Sequence, residues 1–125
     1  MILIFGGAYQ GKLDYALETF HLTRDDVYRC SRDKEISLEK KVICGLEDFV
    51  YAHAADGVEA KEQLALARDG LQDKILIADD ISQGLVPMDP VDRAYREMMG
   101  RTLIWLAREA DSVYRVFCGL GQQLK

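Results

Sequence analysis

Ile2-Leu3-Ile4-Phe5 running into Gly6-Gly7-Ala8-Tyr9-Gln10-Gly11-Lys12 is the stretch on which the fold turns. An apolar run that stops at a pair of glycines reads as a buried strand entering a tight turn. Leu13, Ala16, Leu17 and Phe20 then recur at helical spacing, so a helix is expected over residues 11–20. The turn between them matches G-x-x-x-x-G-K, the frame of a phosphate-binding loop in its strand-to-helix setting. Glycines let the backbone curl until successive N–H groups converge on phosphate oxygens. The helix N-terminus adds partial positive charge, and Lys12 adds a full one. Gly6, Gly7, Ala8, Tyr9, Gln10, Gly11, Lys12 and Leu13 are therefore the nucleotide-binding candidates. The competing reading is a plain glycine turn with a solvated lysine. The position after the lysine should carry a Ser or Thr hydroxyl for Mg²⁺, and Leu13 has no ligand atom. A weak metal site is the expectation. Asp14 points to another side of the helix and is not taken as a replacement ligand.

Outward from this segment, further apolar runs cover residues 27–30, 41–44, 74–78 and 112–118, giving about five strands in all. Continuous aliphatic stretches mark strands buried on both faces, as in a parallel sheet covered by helices. Helical stretches fall between them, over residues 47–55, 59–68 and 90–110. Asp89 caps the last of these, and Pro90 suits its first turn. Strands alternating with helices imply an α/β fold with a mainly parallel sheet, here one nucleotide-binding domain over residues 1–125. In the long helix, Thr102-Leu103-Ile104-Trp105-Leu106-Ala107 is apolar nearly all round, which points to burial on more than one side, as in a subunit interface. Gly100 costs that helix about 1 kcal/mol relative to Ala, so a close contact is expected there.

Apolar residues make up 49% of the chain and charged residues 30%, with a formal net charge of -5. That composition describes a soluble globular protein with no broad electrostatic reason to bind nucleic acid or an anionic membrane. The apolar start is short, lacks a basic lead and meets glycines at once, so it reads as a strand and not as a signal or span. A cytoplasmic location is the default expectation. Cys30, Cys44 and Cys118 are odd in number and far apart, which suggests neither a disulfide framework nor a zinc site. Small apolar residues near strand ends is the first reading, and a reactive thiol the second.

The run Ile75-Leu76-Ile77-Ala78 ends in Asp79-Asp80. A carboxylate at the C-terminal end of a central strand is placed to hold Mg²⁺ directly or through water, although an ordinary loop carboxylate looks the same in sequence. Then follow Ile81-Ser82-Gln83-Gly84-Leu85-Val86-Pro87, the helix with Arg93, Tyr95, Arg96 and the pair Gly100-Arg101, and a last strand leading to Gly119-Leu120-Gly121 and Lys125. This order resembles the C-terminal half of the adenosylcobinamide kinase/adenosylcobinamide-phosphate guanylyltransferase family of cobalamin biosynthesis. The opening strand and glycine loop fit the same family. The resemblance implies a RecA-like P-loop fold, often trimeric, hence a homo-oligomer. It also implies phosphorylation of a corrinoid with GTP or ATP and Mg²⁺, followed by transfer of GMP. In that frame Asp79 or Asp80 holds the metal, and either could act as base toward the substrate hydroxyl, with Asp80 carried forward as the catalytic candidate.

Several positions depart from the family. Leu13 replaces the P-loop Ser, Asp80 stands where the family has Glu, and Leu103 and Ile104 stand where an Asn-Gln pair is usual. The middle of the chain is short and carries no match to the histidine that accepts GMP. His21 and His53, the two histidines present, have the wrong neighbours and read as structural or exposed. Histidine-borne guanylyl transfer is therefore expected to be lost, and a catalytically inactive relative is the alternative to a reduced enzyme. Arg93, Glu97 and Arg101 share one helical face, either a solvated salt-bridged face or a contact to phosphate or a neighbouring subunit.

Overall fold

The computed structural model describes residues 1–81 and 88–125. Strands β1 (Ile2–Gly6), β2 (Val27–Arg29), β3 (Val42–Cys44), β4 (Ile75–Asp79), β5 (Ser112–Phe117) and β6 (Leu120–Gln123) form one six-stranded sheet in the order β2-β3-β4-β1-β5-β6. All neighbours run parallel except β5 and β6. The α/β class and the mainly parallel sheet follow the expectation, with β6 as an addition. Cys118 and Gly119 form the two-residue turn into β6, with φ of 52° and 74°. Two successive positive φ values give the turn twist that suits an antiparallel ribbon.

The β1–β4 pairing sets Gly6 beside Asp79, so the glycine loop and the strand-end carboxylate emerge together at the C-terminal edge of the sheet. Helix α1 (Lys12–Thr19) covers one face. Helices α2 (Leu46–Ala55), α3 (Ala60–Leu66), the short α4 (Arg68–Leu71) and α5 (Pro90–Glu109) cover the other. Alternation divides the strands between two cores. Ile4, Val42, Ile75, Ile77 and Val116 pack with Ala16 and Leu17 of α1. Leu3, Ile43, Leu76 and Val113 pack with Leu46, Phe49, Leu64, Met99 and Leu106 on the opposite side. Sandwiching the central strands between two helical layers explains their unbroken apolar sequence.

In the second half of α5, Thr102 and Leu106 are inside, Leu103, Trp105 and Ala107 pack partly buried against the same core, and Ile104 is 57% exposed. One expectation for α5 is corrected. Gly100 has no close neighbour, and a methyl group there would meet nothing within 4 Å. The helix predicted over 59–68 is also broken, because α3 ends at Leu66 and α4 starts at Arg68. As read from the sequence, Asp89 caps α5, its carboxylate accepting from the backbone N–H groups of Val91 and Asp92. No helix among the described residues is long and apolar enough to cross a membrane.

Candidate functional site

The glycine loop is held in shape from behind by the β5–β6 turn. The Gln10 side-chain oxygen accepts from the Cys118 N–H at 2.7 Å, and the Gln10 carbonyl accepts from the Gly119 N–H at 2.8 Å. Gly6 is required by that closeness, since a Cβ there would lie 2.4 Å from the Val116 carbonyl oxygen. Gly11 caps α1 with φ of 85°, a left-handed conformation that favours glycine, and no side chain bonds to the first-turn N–H groups. Those amides therefore face the loop with their donors available, as an anion requires. Tyr9 also adopts a positive φ, 60°, and projects fully into solvent at the crest of the loop.

Lys12 is only 7% exposed, yet its ammonium lies at the loop. It donates to the Gly7 carbonyl at 2.8 Å and pairs with the Asp79 carboxylate at 2.5 Å. Asp79 is in turn fixed through its backbone, whose N–H donates to the Glu47 carboxylate at 2.9 Å. The Asp80 N–H donates to the Gly6 carbonyl at 2.7 Å, which ties β4 to the root of the loop. Burial pushes the Glu47 carboxyl above the ordinary range, opposed by the Asp79 N–H and its own backbone N–H. The loop, Lys12, Glu47 and Asp79 border a cavity of about 380 Å³. Leu13, Asp14, Arg24, Arg29, Cys44 and Gly45 complete its wall together with Ile77.

The donor set fits a phosphate group: converging amides, one buried ammonium and an adjoining cavity. It fits a divalent metal less well. Leu13 lines the cavity without a ligand atom, and no cluster of three His, Cys, Asp or Glu exists among the described residues. Mg²⁺ needs only one or two carboxylates when phosphate oxygens and water complete its octahedron. Asp79 and Glu47 are the two carboxylates on the cavity wall that would be in reach of such an ion arriving with a nucleotide. Asp14 is engaged elsewhere, accepting from Arg24 at 3.1 Å.

The other sequence candidates fall into place around this site. Gly6 and Lys12 converge on Asp79, while Asp80 is not among the described residues that line the cavity. Arg101 binds Glu59 through both carboxylate oxygens, at 3.0 and 3.3 Å, and so fastens α5 to the start of α3. Arg93 donates to the Met88 carbonyl at 2.8 Å, next to the N-terminus of α5. His53 is buried, with Nδ1 2.9 Å from the Phe49 carbonyl and its ring 4.3 Å from the Phe49 ring, a packing role. His21 is exposed. Gly84-Leu85-Val86-Pro87 lies outside the described residues. Cys30 and Cys44 are buried as expected, whereas Cys118 is exposed in the β5–β6 turn. Burial pushes the Cys30 thiol up to about 12, which makes it a poor nucleophile.

Sequence reasoning missed Glu47, Arg24, Arg29 and the Gln10 clamp. Glu47 had a usable signal: it stands in the first turn of the helix that follows a strand end, where open α/β sheets bind ligands.

Among protein families, the model described as cobinamide kinase / cobinamide phosphate guanyltransferase matches residues 52–124, more than half of the chain. The match spans Asp79, Asp80 and α5, and it begins after the glycine loop and Glu47. No curated protein matches the chain.

Proposed function

Since the chain belongs to the cobinamide kinase / cobinamide phosphate guanyltransferase family, we propose that it binds a nucleoside triphosphate in the Lys12 cavity and acts as a reduced corrinoid kinase without the histidine-borne guanylyl step. The family's activity lies in cobalamin biosynthesis. The observation that carries the nucleotide reading is the placement of the buried Lys12 ammonium between the Gly7 carbonyl and Asp79, beside the uncapped start of α1.

In this reading the α1 amides and Lys12 hold the β- and γ-phosphates of GTP or ATP, and positive charge there stabilises the charge that spreads over the transferred group. A Mg²⁺ carried in with the nucleotide would add further neutralisation, with Asp79 and Glu47 as its protein ligands. An incoming phosphate competes with Asp79 for Lys12. The carboxylate so released is placed either to hold the Mg²⁺ or, where it does not, to accept the proton of an acceptor hydroxyl. Asp79 is better placed for this than Asp80, because it borders the cavity. A hydroxyl of a corrinoid is the acceptor that the family suggests. Assembly as a homo-oligomer, a trimer by resemblance, would cover the exposed Phe117, Leu120 and Leu124 around β6.

The second reading is a nucleotide-binding relative without turnover. Two features favour it: Leu13 at the metal-ligand position and the direct Lys12–Asp79 pair, which engages both charged groups with each other. Phosphoryl transfer from labelled GTP or ATP to cobinamide separates the two. Product formation abolished by Asp79→Asn supports the kinase. Saturable nucleotide binding with no product supports the inactive relative.

A further inference from the structure

The cavity beside Lys12 has a second cationic wall. Arg29 ends β2, and Arg24 lies in a 3-10 turn (Arg24–Asp26) just before that strand. Both border the same cavity as the glycine loop. Arg29 lies against Gly45, the left-handed residue that starts α2: a Cβ built there would come within 3.5 Å of one of its guanidinium nitrogens. Burial pushes the Cys44 thiol up, and the Arg29 and Arg24 charges oppose that shift while Glu47 adds to it. Both guanidinium fields therefore reach into the cavity wall.

The other cations of the cavity are each paired with a carboxylate, and Glu47 accepts from the Asp79 N–H. Lys12 meets Asp79, and Arg24 meets Asp14. Among the described residues Arg29 has no ion-pair partner. A guanidinium presents a planar fork of donors suited to phosphate oxygens, and one on the wall of a phosphate cavity is a ready anion contact.

We propose that Arg29, supported by Arg24, forms a second anion subsite in the Lys12 cavity, so that the cavity selects an extended polyphosphate over a single phosphate group. The inference rests on the P-loop reading and deepens it. Lys12 and the α1 amides take one end of the anion, and Arg29 takes a group farther along the chain. Arg24 shares its charge with Asp14 and contributes less.

Calorimetric titration with inorganic tripolyphosphate and with orthophosphate tests this. Wild type, Arg29→Ala, Arg29→Lys, Lys12→Ala and Arg115→Ala are compared. Arg115 is exposed on β5 away from the cavity and controls for net charge. Arg29→Ala should weaken tripolyphosphate binding by about fivefold or more and leave orthophosphate within about twofold. Arg29→Lys should recover part of the loss, and Arg115→Ala should change neither anion. Equal tripolyphosphate affinity in Arg29→Ala and wild type, with both anions lost in Lys12→Ala, overturns the subsite and leaves the P-loop standing. Equal weakening by Arg29→Ala and Arg115→Ala overturns it as a bulk charge effect. A wild type that binds neither anion overturns the P-loop reading, and the subsite falls with it. Thermal melting of each variant confirms that the loss is not one of folding.

Discussion

The Lys12 ammonium and the Asp79 carboxylate lie 2.5 Å apart at the mouth of the loop, with the lysine buried and the carboxylate 28% exposed. One comes from the first turn of α1 and the other from the end of β4, and the Gly6–Asp79 register of the sheet brings them together. The pair joins the two halves of the site. It also fixes what an incoming phosphate must displace.

Removing the ammonium has two expected effects. Lys12→Ala should abolish the rise in melting temperature that saturating GTP or ATP produces in wild type. It should also cost about 1–3 kcal/mol of stability, because Asp79 loses a partner in a half-buried position. Urea unfolding measures the second effect. Undiminished nucleotide stabilisation in the variant rules out the P-loop assignment.

Leu13 tests the metal. Leu13→Ser supplies the missing hydroxyl at the first turn of α1 and removes a half-buried side chain packed against the α1-side core, at a cost of about 1–2 kcal/mol. The expected outcome is a larger increase in nucleotide affinity on adding Mg²⁺ than in wild type. Identical Mg²⁺ responses in the two proteins count against Asp79 and Glu47 as the remainder of a metal site.

Glu47 gives a pH signature. Its carboxyl is held above the ordinary carboxylate range, chiefly by burial, so the folded state binds this proton more tightly than the unfolded state does. Its contribution to stability is complete below the unfolded value and is lost as pH rises through the raised folded value. Glu47→Gln removes the titration and retains an acceptor for the Asp79 N–H. The variant should therefore gain stability relative to wild type as pH rises from about 4 toward neutrality. A stability difference independent of pH across that range contradicts the assignment.

Gly6 reports on the closeness of loop and sheet. A methyl group would press on the Val116 carbonyl oxygen at 2.4 Å, against backbone that cannot swing away. Gly6→Ala should lose about 2 kcal/mol or more and displace the loop, weakening nucleotide binding as well. An unchanged urea midpoint means that β1 and β5 are farther apart than described.

Much of the fold was legible because its signals are local. The strand, glycine turn and helix at residues 2–20 each follow from their own spacing, as does the capped start of α5 at Asp89. β6 was not legible: Leu120-Gly121-Gln122-Gln123 has no β-branched residue and becomes a strand through pairing with β5 across the Cys118-Gly119 turn. The site divides in the same way. Lys12 could be named from the glycine loop that follows β1, and Asp79 from the end of β4. Glu47 and Arg29 reach the cavity only because β2 and β3 extend the sheet beside β4, which is information about pairing order and not about sequence neighbours. On α5, Ile104 faces outward although it is apolar, and the apolar run around it does not disclose which residue that is.

The most direct measurement is calorimetric titration of GTP and ATP, with and without Mg²⁺, into wild type and Lys12→Ala. Saturable binding by wild type, strengthened by Mg²⁺ and lost in Lys12→Ala, is the predicted result. No binding at millimolar nucleotide, or equal binding by the two proteins, would contradict a nucleotide site at Lys12.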